Sequence, residues 1–334
     1  MPRFYLETDM SVDQLYANGR IAVMSTRLMG ADKLARLAEC NTLAEAVKLL
    51  QDSAYGGGAA LSTPNDYEQL LVAELDEALR TLKELCSDKY ALKYFLAKYD
   101  YLNAKALMKC KYMRRDGLAY CYKEGSFAPE QMQADFVADD YSSYGKSMAE
   151  ACDKIDAEYA NGNRSPSVID VTLDKAMFAD MAAYANKCRL RYKFVKQMFV
   201  YLADTANLMS AYRVKKAGLD KSVYVEMLVD GGKLSRDSLL NLFDDERKSA
   251  DMCGEYKRFY SLTSLDNASL APAEKEQRTH LRRILRDNAD FLTIQPVLEY
   301  FFNKVNEIER IRRVLAAIKG GKDKDKIKDM LSNV

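Results

Sequence analysis

The sequence predicts an all-α protein, and three observations lead to that prediction. Almost every segment with strong hydrophobic periodicity repeats its apolar residues at helical spacing, and none has the period-2 alternation of a strand. Glycine (15) and proline (6) are scarce in a chain of 334 residues, which favours long uninterrupted helices over tight turns. With 48% apolar and 30% charged residues, the composition is that of a globular protein.

The first third of the chain is predicted to form several helices in succession. The first begins after Ser11, which suits an N-cap. The next follows Asn41 or Thr42 as its cap, and Glu45 stands three residues after Thr42, as in a capping box. The glycines at 56–58 end this region and read as a flexible loop, and a long amphipathic helix is predicted over about residues 66–88.

The middle and the end of the chain also contain long helical patterns. One covers the stretch that ends at Gly117, which is placed as its C-terminal glycine. Residues 161–170 are rich in Asn, Gly, Ser and Pro and read as a linker. The sequence is predicted to be helical from about Leu173 onward, and the last long helix covers about residues 294–319.

Charge, cysteine spacing and hydropathy exclude several function classes. Lys and Arg (50) almost cancel Asp and Glu (49), so no net field draws the protein to nucleic acid or anionic lipid. The seven cysteines are scattered and never spaced as CxxC, which argues against a disulfide framework or a zinc site. The N-terminal residues lack a signal-peptide pattern, and no segment has the ~18 apolar residues of a membrane span. We therefore expect a cytoplasmic protein.

No catalytic, cofactor or metal site is predicted from the residues. The glycine-rich stretch at 56–58 lacks the Lys and the hydroxyl residue of a phosphate-binding loop, and no strand precedes it. His280 is the only histidine, and its charged helix face is typical of a solvated surface residue rather than a catalytic base. We expect a protein that is not an enzyme and has no cofactor or small-molecule substrate.

An asparagine lies inside the apolar face of the helix that precedes Gly117. At 100° per residue, Asn103 shares an arc with Tyr99, whereas Lys105 and Lys109 lie on the opposite side. A buried amide costs free energy unless its donors and acceptor are matched. Asn103 is therefore expected either to fix the packing of neighbouring helices or to bind a partner. The two lysines are expected either to form a solvent-exposed basic face or to contact an acidic partner.

A very similar stretch returns at an offset of 104 residues. DYLNAKALMKCK, which begins at Asp100, aligns with DTANLMSAYRVK, which begins at Asp204. Downstream, EGSFAPEQM resembles DGGKLSRDSL, so both stretches are followed by an acid, a glycine and a helix start. The aligned pairs are Asp100 with Asp204, Asn103 with Asn207, and Lys109 with Arg213.

Weaker copies of the pattern lie near both ends of the chain. One surrounds Asn18, and the other contains Glu307 and a Gly-Gly pair before a short final helix. The shared order predicts an internal duplication. It divides the chain into about three similar helical lobes, which are 1–115, 116–220 and 221–334 with approximate boundaries that allow terminal helices to be exchanged.

Four stretches in this order are LYANGRIAVMSTRLM, LAEAVKLLQDSAY, YFLAKYDYLNAKALMKCKY and NEIERIRRVLAAIKGGKDKDKIKDML. Together they resemble the C subunit of the A/V-type ATPase/ATP synthase, whose eukaryotic counterpart is the d subunit of the vacuolar proton pump. The resemblance covers essentially the whole chain. It implies a funnel-shaped assembly of three similar helical lobes with a pseudo-threefold arrangement around a central hollow.

The resemblance also implies a function and a set of partners. It implies a rotor subunit without catalysis of its own, on the cytoplasmic face of a membrane, which supports ATP-linked ion or proton transport. Its partners would be the central-stalk D and F subunits and the membrane proteolipid ring, with no nucleic acid. The partner-binding residues that it implies are Asn18, Arg20, Lys105, Lys109, Arg213, Glu307 and Arg312. The alternative is a helical scaffold or regulatory binding module unrelated to the ATPase.

Overall fold

The structure is a computed structural model that describes residues 12–58, 61–188, 190–245 and 255–332. Within these residues it is all-helical, as predicted, and contains no strand. The helices are α1 (Val12–Ser25), α2 (Ala31–Glu39), α3 (Leu43–Asp52), α4 (Glu68–Leu85), α5 (Lys89–Met113), α6 (Pro129–Val137), α7 (Lys146–Ala160), α8 (Pro166–Lys187), α9 (Lys193–Lys216), α10 (Lys221–Met227), α11 (Arg236–Asp244), α12 (Glu255–Leu262), α13 (Ala271–Asp287), α14 (Gln295–Lys319) and α15 (Lys324–Ser332). None of these described helices is both long enough and apolar enough to cross a membrane.

The chain divides into two compact units. Unit 1 combines the two ends of the chain, Met1–Asp88 and Leu285–Val334, and unit 2 is the continuous stretch Lys89–Ile284. The division into three lobes at 1–115, 116–220 and 221–334 stays a prediction.

Unit 1 is built around α14, which packs against α1, α2, α3 and α4. The apolar residues of α4 recur every three or four positions, so they form one face that turns inward. The fully buried leucines of unit 1 include Leu37, Leu50, Leu70, Leu71, Leu79, Leu82, Leu298 and Leu315. At the start of α3, the predicted cap is confirmed, because the Thr42 side chain accepts a hydrogen bond from the Glu45 amide at 3.2 Å. The proposed N-cap Ser11 lies outside the described residues.

Unit 2 places α8 against α5, α7 and α9. One core cluster joins α5, α6, α7 and α8 through Tyr101, Met108, Phe136, Ile155 and Leu173. A helix with neighbours on several sides needs apolar residues all round it, and α8 has buried residues on more than one face.

The start and the end of α8 differ from the sequence prediction. The helix begins at Pro166 rather than near Leu173, because proline suits the first turn and the Ser165 side chain accepts a hydrogen bond from the Ser167 amide. The predicted linker is shorter as a result. The helical run is also interrupted after Lys187, and a 3₁₀ turn separates α8 from α9.

Gly117 is not the C-terminal glycine of α5, so that prediction is wrong. The helix ends at Met113, and Arg114 takes the left-handed conformation, with φ of 54°, that follows a helix end. Gly117 has an ordinary negative φ and instead packs against the helix. A Cβ at this position would lie 2.9 Å from Cδ2 of Leu107.

Candidate functional site

Asn103 holds the backbone of the loop that follows α5. Its Nδ2 donates to the Tyr122 carbonyl oxygen at 2.9 Å, and its Oδ1 accepts from the Tyr122 amide at 2.7 Å. One helical turn earlier, Asp100 accepts from the Ser126 amide at 2.6 Å. Asn103 is fully buried, as the helical wheel predicts, and these bonds match its donor and its acceptor.

Asn207 on α9 makes the same contact with the loop before α11. Its Nδ2 donates to the Val229 carbonyl oxygen and its Oδ1 accepts from the Val229 amide, both at 2.9 Å. Asp204, one turn earlier, accepts from the amides of Lys233 at 2.8 Å and Leu234 at 3.0 Å. We call each Asp-x-x-Asn pair with the loop that it holds a loop clamp.

A glycine is required in each loop clamp. A Cβ on Gly125 would lie 2.5 Å from Asp100 Oδ1, and a Cβ on Gly232 would lie 2.0 Å from Asp204 Oδ1. Real Cβ atoms do not approach an oxygen so closely, so only glycine lets the loop backbone reach the carboxylate. Gly125 and Gly232 therefore have the same role in the two loop clamps.

At the corresponding positions of α14, a lysine and a glutamate stand in the same i,i+3 relation. Glu307 accepts a hydrogen bond from the Met29 amide, just before α2. Lys304 donates to Glu307 Oε1 at 2.7 Å and to Glu74 Oε2 at 2.5 Å. All three side chains are at most 15% exposed. The loop before α2 is thus held by a carboxylate that is itself paired with a lysine. The loops of unit 2 are instead held by an asparagine amide and an aspartate carboxylate.

Tyr55 completes this group, and we call Tyr55, Glu74, Lys304 and Glu307 the buried charge cluster. Lys304 Nζ lies 4.5 Å from the centroid of the Tyr55 ring. Burial and the nearby carboxylates of Glu307 and Glu74 raise the pKa of Tyr55 far above its ordinary value. Burial alone would lower the pKa of Lys304, but the same two carboxylates outweigh it and raise that pKa.

The glycine-rich stretch after α3 is held in place by the same cluster. The Gly56 amide donates to Glu74 Oε1 at 2.6 Å, and a Cβ on Gly56 would lie 2.8 Å from Cδ2 of Leu70. The φ angles of Gly56 and Gly57 are both positive, which explains why glycine is used there. The described part of this stretch is therefore a turn held by Glu74, and its flexibility stays a prediction.

The three held loops share a local arrangement. Each is held by a long helix, and α5, α9 and α14 have 25, 24 and 25 residues. Each leads into a helix of nine residues, namely α6, α11 and α2. For α5 and α9 the held loop follows its helix in the chain, as a duplication would produce, whereas the loop held by α14 lies near the start of the chain.

Asn18 on α1 is fully buried and holds the loop before α14. Its Nδ2 donates to the carbonyl oxygens of Phe291 at 2.6 Å and Thr293 at 2.8 Å. Its Oδ1 accepts from Gln14 Nε2 at 3.0 Å. The two ends of unit 1 are therefore joined by a buried amide as well as by the buried charge cluster.

Lys105 and Lys109 form ion pairs with α8. Lys105 Nζ lies 2.6 Å from Asp174 Oδ1, and Lys109 Nζ lies 2.7 Å from Asp170 Oδ1. The Lys105 side chain is 15% exposed, so this side of α5 is not the solvent-exposed basic face expected from the helical wheel. The reason is that α8 covers it and supplies the matching carboxylates.

The remaining predicted partner-binding residues lie nearer the surface. Arg20 is 3.3 Å from Glu84, and Arg312 is 3.1 Å from Glu68, and both pairs are solvent-exposed or partly so. Arg213 is exposed and lines a cavity of about 170 Å³ in unit 2. The role of these residues in binding a partner stays a prediction.

Some residues of the site were not singled out from the sequence. Glu74 and Lys304 had no assigned role, although Lys304-x-x-Glu307 has the spacing of Asp100-x-x-Asn103 and could have been aligned with it. His280, expected at the solvated surface, is half-buried, and its ring stacks on Tyr201 with centroids 3.9 Å apart. Within the described ranges, no group of three or more His, Cys, Asp or Glu side chains is placed to hold a metal ion.

Comparison of the sequence with known proteins identifies related chains. The family described as "ATP synthase (C/AC39) subunit" matches residues 17–330. The chain is 24% identical to the C subunit of the A-type ATP synthase from Desulfurococcus sp. (strain SY), with 96% of this chain and 90% of the relative aligned. It is 25% identical to the protein of that name from Methanosarcina acetivorans, with 95% and 92% aligned. For the one from Thermococcus gammatolerans the identity is 22%, with 95% and 89% aligned.

Proposed function

Because the chain belongs to the ATP synthase C/AC39 subunit family, we propose that it is a non-catalytic rotor subunit that couples the central-stalk D and F subunits to the membrane proteolipid ring. As a member of this family it is an accessory subunit of an ATP synthase complex. The proposal places it on the cytoplasmic face of the membrane, where it supports ATP-linked ion translocation.

The observation that carries the proposal is the extent of the family match. It runs from residue 17 to residue 330 and therefore includes α14 and both loop clamps as well as most of α1. Relatives named as the C subunit of an A-type ATP synthase align over at least 89% of their own length. The match therefore concerns the whole chain and does not depend on one short motif.

The loop clamps and the buried charge cluster support a mechanical role. A coupling subunit that bends under load stores the rotation as elastic strain and does not transmit it. Here each of three helices about 37 Å long is tied to a loop by hydrogen bonds from buried side chains. Such bonds open only when buried polar groups lose their partners, at about 1–3 kcal/mol for each group.

The outer face of α1 is the surface that we assign to a partner helix. Its side chains carry no charge and include Leu15, Tyr16 and Val23, which are 41%, 66% and 58% exposed. Gly19 lies between them, and no atom lies within 4 Å of the position of its Cβ. A helix face of this kind allows another helix to approach closely. Arg20, at its edge, would exchange its exposed ion pair with Glu84 for one with an acidic residue of that partner.

A binding experiment tests the proposal. The purified chain is mixed with the D–F stalk pair and, separately, with the isolated proteolipid ring, and complexes are detected by size-exclusion chromatography. We expect a complex with each partner, and the absence of both complexes would refute the rotor function.

Two variants test the surface separately. Val23→Glu is expected to weaken at least one of the two complexes more than tenfold, because it places a charge in the uncharged face of α1. Val137→Glu is the matched control, since Val137 is an exposed valine of unit 2 on α6. Equal binding by both variants would reject the α1 face and leave the rotor function standing.

A further inference from the structure

A cavity of about 670 Å³ in unit 2 lies where α5 and α7 end and α8 begins. Its volume is within the range of about 300–1,000 Å³ that is typical of small-molecule sites. It contains no residue of the loop clamps. Neither the clamps nor the proposed α1 surface explains why the chain forms it.

Two residues that line the cavity have backbone conformations that favour glycine. Arg114, directly after α5, has a φ of 54°, and Asp139, just beyond α6, has a φ of 56°. The left-handed conformation is unfavourable for a residue with a Cβ, which is why helix ends commonly carry glycine there. Side chains kept at such positions mark places where the side chain itself is needed. Among the described residues, the other non-glycine residue with a positive φ is Ala54, which belongs to unit 1.

The side chain of Asp139 has a partner on the cavity wall. It contacts Lys111, whose Nζ also lies 2.8 Å and 2.9 Å from the two oxygens of Asp156. The hydroxyls of Tyr112 and Tyr141 donate to Asp156 as well. Lys111 is therefore shared between the two carboxylates of the cavity, which leaves one negative charge in this group of three.

Arg114 and Arg164 have no such partner among the residues that the structure describes. Four cationic side chains line the cavity, and against Asp139, Asp156 and the Asp170 carboxylate that pairs with Lys109 they leave a local net charge of +1. Lys111 is occupied as described, and Lys109 pairs with Asp170. No described carboxylate lies within ion-pair distance of Arg114 or Arg164, and both are exposed to the solvent of the cavity.

We propose that this cavity binds the phosphate group of a small phosphorylated compound or of a phospholipid headgroup, with Arg114 and Arg164 as its ligands. A guanidinium presents a planar set of N–H donors that matches two phosphate oxygens. The stacked rings of Tyr112 and Tyr159, with centroids 3.8 Å apart, give the cavity a firm wall. Pro166, the first residue of α8, also lines it, so the positive end of a 22-residue helix faces the same space. This site does not depend on the family assignment.

The test uses the full chain and two phosphate probes. Inorganic tripolyphosphate is titrated by calorimetry, and vesicles of phosphatidylcholine with or without phosphatidic acid are tested by flotation. Binding of tripolyphosphate identifies a free phosphorylated compound as the source, and binding of phosphatidic acid vesicles alone identifies a headgroup. Either result supports the site if the Arg114→Gly variant loses that binding.

Arg114→Gly separates binding from folding. Glycine relieves the left-handed conformation, so the variant should have a Tm no lower than that of the parent chain, yet bind the probe at least tenfold more weakly. Ala54→Gly is the matched control, because it relieves the same conformation in unit 1 and should leave binding unchanged. Arg164→Gln should also weaken binding at least tenfold.

Three results would overturn the proposal. One is that neither probe binds to the parent chain. Another is that Arg114→Gly binds as tightly as Ala54→Gly. The third is that a glutamate polymer binds as tightly as tripolyphosphate, which would show a general attraction for acidic chains rather than a phosphate site.

Discussion

Replacing Lys304 by methionine removes the cation of the buried charge cluster while keeping a side chain of similar length. Lys304 lies 2.5 Å from Glu74 and 2.7 Å from Glu307, so both carboxylates lose their only cation in the cluster. Removing one partner of a buried ion pair typically costs about 3–5 kcal/mol. Because two carboxylates are affected, we expect a loss of about 4 kcal/mol in the free energy of unfolding at pH 7.

The effect should depend on pH in a defined direction. In the parent chain the pKa of Lys304 is raised above 10.5, so the native state binds this proton more tightly than the unfolded chain does. Its contribution to stability is fully present below about pH 10.5 and is lost as the pH rises through the raised pKa. The deficit of Lys304→Met relative to the parent chain should therefore shrink as the pH rises through the raised pKa of Lys304, because the parent chain loses this contribution there.

Urea unfolding followed by circular dichroism at 222 nm measures this loss, since the chain has no tryptophan for fluorescence. Hydrogen exchange at the amides of Met29 and Gly56 reports on the same cluster, because these amides donate to its carboxylates. Lys146→Met is the control, since Lys146 is 86% exposed and its loss should cost less than about 0.5 kcal/mol. A loss below about 1 kcal/mol for Lys304→Met, or a deficit that does not change with pH, would refute the reasoning.

Three further predictions concern single side chains. Asn103→Leu should lower the free energy of unfolding in urea by about 2–4 kcal/mol, because it removes both hydrogen bonds to the partly buried Tyr122 backbone, and a loss under about 1 kcal/mol would contradict the loop clamp. Gly232→Ala should lower the Tm in thermal melts, because its Cβ would lie 2.0 Å from a carboxylate oxygen of Asp204. Gly19→Ala should stabilise the chain by about 0.5–1 kcal/mol, because alanine favours a helix more than glycine does. A higher Tm for Gly232→Ala than for Gly19→Ala would contradict the positions assigned to both glycines. Burial raises the pKa of the Cys121 thiol to about 11. Its alkylation by iodoacetamide, measured by mass spectrometry, should therefore be slow at pH 8 and become about tenfold faster per pH unit up to about pH 11. Fast alkylation at pH 8 would show that the thiol is not buried.

The helices and the burial of Asn103 could be predicted from the sequence, whereas the second contact face of α5 could not. A helical wheel orders the side chains of one helix and carries no information about how many neighbours surround it. Tyr101 and Lys105 lie on the side that the wheel left to solvent, yet both are covered by α8. The hydroxyl of Tyr101 donates to Asp180 at 2.7 Å, and Lys105 pairs with Asp174. A buried side that satisfies its polar groups across the interface looks like a solvated side in the sequence.

The loop clamps and the buried charge cluster differ in how much of them the sequence reveals. The clamp partners Tyr122 and Val229 follow their asparagines closely in the chain, and the glycines downstream of both stretches already marked the loops. Glu74 is far from Lys304 in sequence, and a lone glutamate on an amphipathic helix gives no sign of its partner. Contacts of this kind arise only when the two ends of the chain are packed together.

The joining of both chain ends in unit 1 has a consequence for the order of synthesis. Unit 2 is continuous, so all of its residues are available once Ile284 has left the ribosome. The apolar face of α4 must wait until α14 has been translated, since α14 is the helix that packs on it. During that interval the nascent N-terminal segment exposes leucines that are buried in the finished protein, which is a state that chaperones bind. The first part of the chain to be made is thus the last to reach its final stability.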